Sequence, residues 1–269
     1  MGVPEELRRG RRIPLGDPIF HVDAFTERPF AGNPAAVCLL SSPREDAWRQ
    51  GIAAEMNLAE TAFLERAGSD WTLRWFTPTV EVNLCGHATL AAAHALMTGP
   101  QIRFATRSGV LTVRRAGDLL ELEMPAAPVE PGNLPELLEA LNVRGDTFLS
   151  PSGNGNVIVL LKDQAAVRAV APDFAALAKL PYLVSITAPG DEQDVASRVF
   201  AAFHGVPEDP VTGSAHTALV PFWAERLGRT EFVALQASQR TGLLRCRLEG
   251  DRVVLGGHCV TVIAGQFQL

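Results

Sequence analysis

The sequence predicts an α+β protein of two similar domains, each a curled, mostly antiparallel sheet around a central apolar helix. One observation is a repeated spacing: Glu81, Gly86, Ala88 and Ala91 are spaced like Glu208, Gly213, Ala215 and Ala218. A second repeat follows each copy, because Gly, Leu, Arg, Gly and Asp recur at one constant offset in residues 108–118 and 241–251. Two repeats in the same order indicate two related halves.

The third observation concerns two apolar helices. Residues 88–97 and 215–227 are rich in Ala, Leu and other apolar residues on most sides. A helix that is apolar nearly all round belongs in the interior. Each is flanked by alternating apolar runs around a Gly-Asp pair, which is a hairpin signal. We therefore expect a sheet curled around a helix in each half.

The predicted N-terminal domain covers residues 18–127 and the C-terminal domain residues 136–269, with a proline-rich linker at 125–135. A helix start is predicted at Ser42, followed by Pro43 and the capping glutamate Glu45, and the helix should end near Asn57. Strands are predicted at residues 18–24, 58–65, 71–76, 157–161 and 182–187, a turn at 153–156 and a helix at 167–177.

Composition excludes several classes of protein. The net charge of −6 argues against a nucleic-acid surface, which needs a basic excess. No apolar run is long enough to cross a bilayer. The four cysteines lack framework spacing, and no apolar stretch follows the N-terminal arginines, so we expect reduced thiols in the cytoplasm.

The segment before the second apolar helix has the features of a small-molecule site. Pro210 and Gly213 prevent a regular helix until the turn is complete, and Ser214 stands where an N-cap is expected. A helix start presents unpaired N–H groups and a partial positive charge. Gly213 and Ser214 could therefore bind a substrate carboxylate, and Gly86 and His87 could do so from the other half.

Three candidate catalytic residues each allow two interpretations. Glu60 is either an acid on the solvent face of a strand or a general acid/base whose pKa is raised in an apolar pocket. His87 either forms a local hydrogen bond or contacts a substrate. Asp209 is either a turn-forming acid or an active-site acid.

No metal or organic cofactor is expected. His87 and His94 are seven residues apart, about 10 Å along a helix, which is too far to share an ion. No Cys or His pair has a zinc-finger spacing, and no Gly-x-Gly-x-x-Gly fingerprint follows a strand. Cys85 is interpreted as a small buried residue.

Several motifs together resemble those of the PhzF-like isomerase family, named for a phenazine-biosynthesis enzyme, within the diaminopimelate-epimerase-like superfamily. They span the chain in the family's order and comprise residues 22–26, 29–37, 57–61, 76–78, 85–91, 208–215 and 256–258. The resemblance implies that Glu60 is the catalytic glutamate, that His87 lines the site and that Asp209 is an active-site acid. It also implies a homodimer, a first strand near Ile19 and a frayed extension over residues 1–17.

The resemblance implies a cofactor-independent isomerase that moves a proton within a small, carboxylate-bearing metabolite in the cleft between the domains. The family archetype isomerises a dihydro-hydroxyanthranilate, and that substrate is not assigned here. Relatives that are two-thiol racemases carry a cysteine before each glycine, whereas this chain has Cys85 and Thr212. The alternatives are a non-catalytic metabolite-binding protein and an epimerase of amino or hydroxy acids.

Overall fold

A computed structural model of the chain describes residues 16–68, 70–151 and 155–267, which form 18 strands and six α-helices. The strands are β1 Pro18–Ala24, β2 Asn33–Leu39, β3 Glu60–Ala67, β4 Asp70–Phe76, β5 Glu81–Val82, β6 Gln101–Thr106, β7 Gly109–Ala116, β8 Leu119–Pro125, β9 Glu130–Gly132, β10 Asp146–Leu149, β11 Asn156–Leu160, β12 Leu183–Pro189, β13 Val195–Ala201, β14 Val206–Asp209, β15 Glu231–Gln236, β16 Gly242–Glu249, β17 Arg252–Gly257 and β18 Cys259–Gln266. The helices are α1 Asp46–Met56, α2 Gly86–Leu96, α3 Pro135–Leu141, α4 Gln164–Ala169, α5 Phe174–Leu177 and α6 Gly213–Leu227. Among these helices none has the length and hydropathy to span a bilayer.

The two halves share one pattern of strand pairing. In the first half, β1 to β4 pair in sequence, with β2 and β3 parallel; β4 is also parallel to β6, and β6, β7 and β8 are antiparallel neighbours. In the second half, β10 to β13 pair in sequence, with β11 and β12 parallel; β13 is parallel to β15, and β15, β16 and β17 are antiparallel neighbours. The predicted α+β fold of two similar units is confirmed.

The halves are joined through the sheet at three places. Strand β8 pairs with β17, while β9 pairs with β10 and β18 with β1. The final strand of each half therefore pairs with the first strand of the other half. The division at residues 127 and 136 stays a prediction, and β18 adds to the N-terminal sheet although it lies in the predicted C-terminal domain. The predicted linker contains the short strand β9.

Helices α2 and α6 occupy the interior, as their apolar composition predicts. Residues 86–93 of α2 are all buried, and α6 buries ten residues along its length. The two helix starts meet: a Cβ atom built on Gly86 would lie 3.3 Å from the Cα of Gly213, and the converse distance is also 3.3 Å. The contact depends on glycine because a larger residue would push the two backbones apart.

Three local predictions need correction. Helix α1 begins at Asp46 and not near Ser42, because the Asp17 carboxylate holds this segment, accepting hydrogen bonds from Ser41 N (2.9 Å) and Arg44 Nη2 (3.0 Å). Asp17 is itself buried, so it does not belong to a frayed extension, and residues 1–15 lie outside the described residues.

The helix expected at residues 167–177 is two short helices, α4 and α5, separated at Pro172, which cannot continue a helix. Asp163 and Asp173 each cap one of them by accepting a backbone N–H. The first two residues of the turn predicted at 153–156 lie outside the described residues, which resume at Gly155.

Substituting Gly86→Ala should destabilise the protein, because the added methyl group would crowd the Gly213 backbone at 3.3 Å. Overpacking of this kind costs about 1 to 3 kcal/mol in the free energy of unfolding. Urea denaturation, monitored by circular dichroism, measures this change in the free energy of unfolding. The control is Gly51→Ala, at an exposed position of helix α1 with no atom within 4 Å of the new Cβ, where alanine should stabilise. Equal effects of the two substitutions would show that the helix starts are not in close contact.

Candidate active site

Glu60 and His87 come together where β3 begins and α2 starts. Glu60 is the first residue of β3, and His87 is the second residue of α2. The His87 Nε2 and Glu60 Oε2 atoms are 3.2 Å apart, with 4% of the histidine side chain and 18% of the glutamate side chain exposed. The Glu60 carboxyl group is therefore partly accessible to solvent, while the imidazole of His87 is buried. Because only 18% of the Glu60 side chain is exposed, the interpretation of Glu60 as a solvent-facing strand residue does not fit.

Asp209 reaches the same place from the second half, through Asn33. The fully buried Asn33 Nδ2 donates hydrogen bonds to Asp209 Oδ1 (2.9 Å) and to the Val211 carbonyl (2.8 Å), and lies 3.1 Å from His87 Nδ1. A backbone carbonyl can only accept a hydrogen bond, which fixes the orientation of the amide. One side chain of the first half therefore connects the histidine to the aspartate across the molecule.

Asp209 is also held from its own side of the cleft. The Thr212 hydroxyl donates to Asp209 Oδ2, and buried Gln236 on β15 accepts from Thr212 N (2.8 Å) and donates to the Asp209 carbonyl (2.8 Å). Asn33 and Gln236 were not predicted as site residues. The sequence does hold one weak signal for Asn33, since a Gly-Asn pair also stands at Gly155-Asn156, at the start of the equivalent strand β11.

The predicted anion donors lie at the two helix starts. Gly86 and Gly213 are the first residues of α2 and α6, and Ser214 is the second residue of α6. Thr212, not Ser214, is the N-cap, and it forms no side-chain capping bond because its hydroxyl is used by Asp209. The contact of Gly86 with Gly213 brings two positive helix ends together, an arrangement suited to a carboxylate.

Burial sets the protonation states of the three candidate catalytic residues. Desolvation, and secondarily the charge of Asp209, raises the pKa of Glu60 to about 8. Desolvation also raises the pKa of Asp209 to about 6, although hydrogen bonds from Thr212 and Asn33 oppose it. Desolvation lowers the pKa of His87 to about 3, so the imidazole is neutral at physiological pH. At pH 7 Glu60 is therefore mainly protonated, Asp209 mainly ionised and His87 neutral.

The two halves carry different chemistry at equivalent positions. On the parallel strands, Glu60 lies opposite Ala35, two residues after Asn33, and Ser185 lies opposite Ile158, two residues after Asn156. The counterpart of Glu60 is therefore Ser185. The repeated spacing likewise matches Cys85 with Thr212 and His87 with Ser214. The first half therefore has a carboxyl, a thiol and an imidazole group at these positions, and the second half has a hydroxyl group at each of them.

Cys85 belongs to the same cluster. It is the N-cap of α2, 6% exposed, and its Sγ atom is 3.5 Å from His87 Nδ1. Burial, followed by the charge of Glu60, raises the pKa of its thiol, so it is not a thiolate nucleophile at neutral pH. One donor atom each from Glu60, Cys85 and His87 lies within 4.8 Å of the other two, a grouping that residue spacing did not predict.

A cavity of about 530 Å³ is lined by residues outside this cluster. Its lining includes Arg28, Gln164, Arg168 and His258, and does not include Glu60, His87 or Asp209. Volume alone does not identify a catalytic centre. The cluster, where two acids with raised pKa values converge, is therefore the candidate active site.

Comparison with known proteins identifies the family of the chain. The family described as Phenazine biosynthesis-like protein matches residues 22–265. The chain belongs to this family. The resemblance inferred from the motifs is therefore confirmed.

Individual relatives cover nearly the whole chain. A Pseudomonas aeruginosa protein named as an uncharacterized isomerase is 50% identical over 93% of this chain and 98% of its own length. A Halalkalibacterium halodurans protein with the same description is 41% identical over 94% and 98%. The crystal structure of a PhzF-family phenazine biosynthesis protein from Enterococcus faecalis superimposes with a TM-score of 0.90 at 39% identity, covering 95% of this chain and all of that one.

Replacing Asp209 with asparagine should lower the pKa of Glu60 below about 8, because the negative charge of Asp209 helps to raise it. Asparagine keeps an oxygen that can accept the bond from Asn33. The carboxyl carbon of Glu60 can be titrated by NMR in glutamate-labelled protein. The matched control is Glu208→Gln, which removes a neighbouring acid that pairs with Arg198. An unchanged Glu60 titration in Asp209→Asn would mean that the two acids do not interact.

Glu60→Gln should be more stable than the wild type at alkaline pH. The folded protein keeps the proton on Glu60 up to a pKa of about 8, whereas the unfolded chain releases it near 4.5. Between these values the folded state binds more protons, so wild-type stability falls as pH rises, by at most about 1.4 kcal/mol per pH unit from this group. Urea unfolding at pH 5, 6.5 and 8 should show a growing advantage for the variant. A constant difference would mean that Glu60 titrates as an exposed acid.

Proposed function

We propose that the protein is a cofactor-independent isomerase that moves a proton within a small, carboxylate-bearing metabolite. The observation that carries the proposal is Glu60, a carboxyl group with a pKa of about 8 next to a neutral histidine in a partly open cluster. Relatives that are 50% and 41% identical are named as isomerases, which supports the same reaction class for this chain.

Glu60 is suited to act as base and then as acid. With a pKa of about 8, both its carboxylate and its carboxylic acid forms are populated near neutral pH. The carboxylate takes a proton from one carbon of the substrate, and the resulting acid returns it to another carbon on the same face. The hydrogen count of the substrate is unchanged, so the net reaction is an isomerisation.

The neighbouring groups position the substrate and keep the pKa of Glu60 high. His87 is neutral because its pKa is lowered to about 3, so it forms a hydrogen bond without adding positive charge. Asp209, with a pKa of about 6, is mainly ionised at neutral pH and keeps the pKa of Glu60 high. The N–H groups of Gly86, Gly213 and Ser214 bind the carboxylate of the substrate. The partial positive charge of the two helix starts offsets the repulsion between that carboxylate and Asp209.

A two-base epimerase is the less suitable alternative. Inversion at a stereocentre by two bases needs one proton carrier on each face of the substrate. In this chain the counterparts of Glu60 and Cys85 in the second half are Ser185 and Thr212, whose hydroxyls are far weaker acids and bases. The homodimer, the cytoplasmic location and the independence from metals and organic cofactors stay predictions.

Glu60→Gln should reduce turnover at least ~100-fold, the lower end for loss of a general base, because glutamine keeps the shape but takes no proton. Ligand binding should survive, because the anion donors are backbone groups of other residues. Candidate carboxylate metabolites from a thermal-shift screen can be incubated in D₂O, and deuterium entering carbon positions measured by mass spectrometry. This readout also separates an isomerase from a non-catalytic binding protein.

The control for this experiment is Glu208→Gln, which removes an acid one residue before Asp209 and should retain turnover. His87→Ala and Asp209→Asn should reduce turnover less than Glu60→Gln, or weaken binding as well. Normal exchange by folded Glu60→Gln would contradict the mechanism. Binding without exchange in the wild type would favour the metabolite-binding alternative.

A further inference from the structure

The cluster of Glu60, Cys85 and His87 contains three different metal-ligand atoms. A carboxylate oxygen, a thiol sulfur and an imidazole nitrogen lie within 4.8 Å of one another. His87 Nε2 is 3.2 Å from Glu60 Oε2. The 3.5 Å distance from Cys85 Sγ is to the other ring nitrogen, Nδ1, and one imidazole gives only one nitrogen to an ion, so 4.8 Å is the distance that applies to the full set. Two such atoms bound to one tetrahedral zinc ion stand about 3.3 to 3.6 Å apart. An ion would therefore need to draw the widest separation together by only about 1 Å.

Two of these donor atoms have unused hydrogen-bonding capacity. His87 is 96% buried, and its Nε2 atom has no hydrogen-bond partner, as is also true of Glu60 Oε2. The two atoms are close, but their orientation does not meet the geometry of a hydrogen bond. A buried polar atom without a partner is unfavourable, and a shared cation would satisfy both.

The charge of the cluster also favours a cation. Glu60, Cys85 and Asp209 can each become negative, and His87 is neutral near pH 7. Among the described residues, no lysine or arginine forms an ion pair with Glu60 or Asp209, in contrast to Glu81 and Glu208, which pair with arginines. A divalent ion would supply the positive charge that these acids do not receive from a lysine or arginine of the described residues.

We propose that Glu60, Cys85 and His87 form an inhibitory site for a thiophilic divalent cation, with Zn²⁺ or Cd²⁺ as the ligand. Binding releases the protons held by the thiol and the carboxyl group, and three protein ligands leave a fourth position open to water. The exposed part of Glu60 provides access. The bound ion occupies the carboxyl group that moves the proton, so it blocks the reaction. Only this inhibition rests on the proposed function.

The second half offers no equivalent site. Its counterparts of the three ligands are Ser185, Thr212 and Ser214, and neutral hydroxyls are poor zinc ligands beside thiolate and imidazole. One ion per chain is therefore expected, although the fold repeats.

The test uses the full-length protein, without a substrate. Titration with Co²⁺ should produce a near-ultraviolet thiolate-to-metal charge-transfer band that saturates at one equivalent and disappears when Zn²⁺ is added. Isothermal titration with Zn²⁺ should give one site. Cys85→Ser and His87→Ala should each weaken Zn²⁺ binding at least tenfold, because each loses one ligand. The matched control is Cys259→Ser, which removes a more exposed thiol outside the cluster and should leave binding unchanged.

Several results would overturn the proposal: no stoichiometric binding by the wild type, binding without a thiolate band, or binding that is lost in Cys259→Ser but kept in Cys85→Ser. The wild-type titrations decide the matter even where a ligand variant does not fold. Once a substrate is known, stoichiometric Zn²⁺ should abolish turnover and a chelator should restore it. Zinc binding by a protein whose Glu60→Gln variant is active would reject the proposed function alone. An inactive Glu60→Gln with no metal site in the wild type would reject this inference alone.

Discussion

The contact between Gly86 and Gly213 is the constraint on which the rest of the structure depends. Each glycine begins a buried helix, and a Cβ atom on either would lie 3.3 Å from the backbone of the other. Because neither has a side chain, the two helix starts can meet at the junction of the halves. This meeting places His87, which follows one glycine, near Asp209, which precedes the other. It also directs two positive helix ends toward the same point.

Hydrogen bonds between buried or partly buried groups then hold the halves in one relative position. Asn33 connects the first half to Asp209 and Val211. Farther out, Arg240 of the second half donates to the Gly32 carbonyl (2.9 Å) and to Asp23 Oδ1 (2.7 Å), which fixes the loop that leads into Asn33. These hydrogen bonds restrict the position of Asn33, and through it the positions of His87 and Asp209.

The repeat explains why the chemistry can be one-sided. The strand pairing of the two halves is the same, so the fold does not require a particular side chain at the helix starts or at the beginning of β3 and β12. The first half places a carboxyl, a thiol and an imidazole at those positions, and the second half places hydroxyls there. Of the two acids near this point, Glu60 comes from the first half and Asp209 from the second, and they do not occupy equivalent positions of the repeat.

Local patterns in the sequence predict the fold class, the two buried helices and the starts of α2 and α6. They can do so because helix starts and apolar faces are determined by residues that are close together in the sequence. Family motifs indicated Glu60, His87 and Asp209. The partners of these residues were decided by tertiary structure alone: Asn33 bonds to a residue 176 positions away, and Gln236 reaches Asp209 across 27. Thr212, not Ser214, is the N-cap of α6, and its hydroxyl binds Asp209 instead of capping the helix. Asp17 likewise holds the segment before α1, which begins only at Asp46. Such long-range hydrogen bonds depend on which distant segments the fold brings together, and local residue spacing does not specify this.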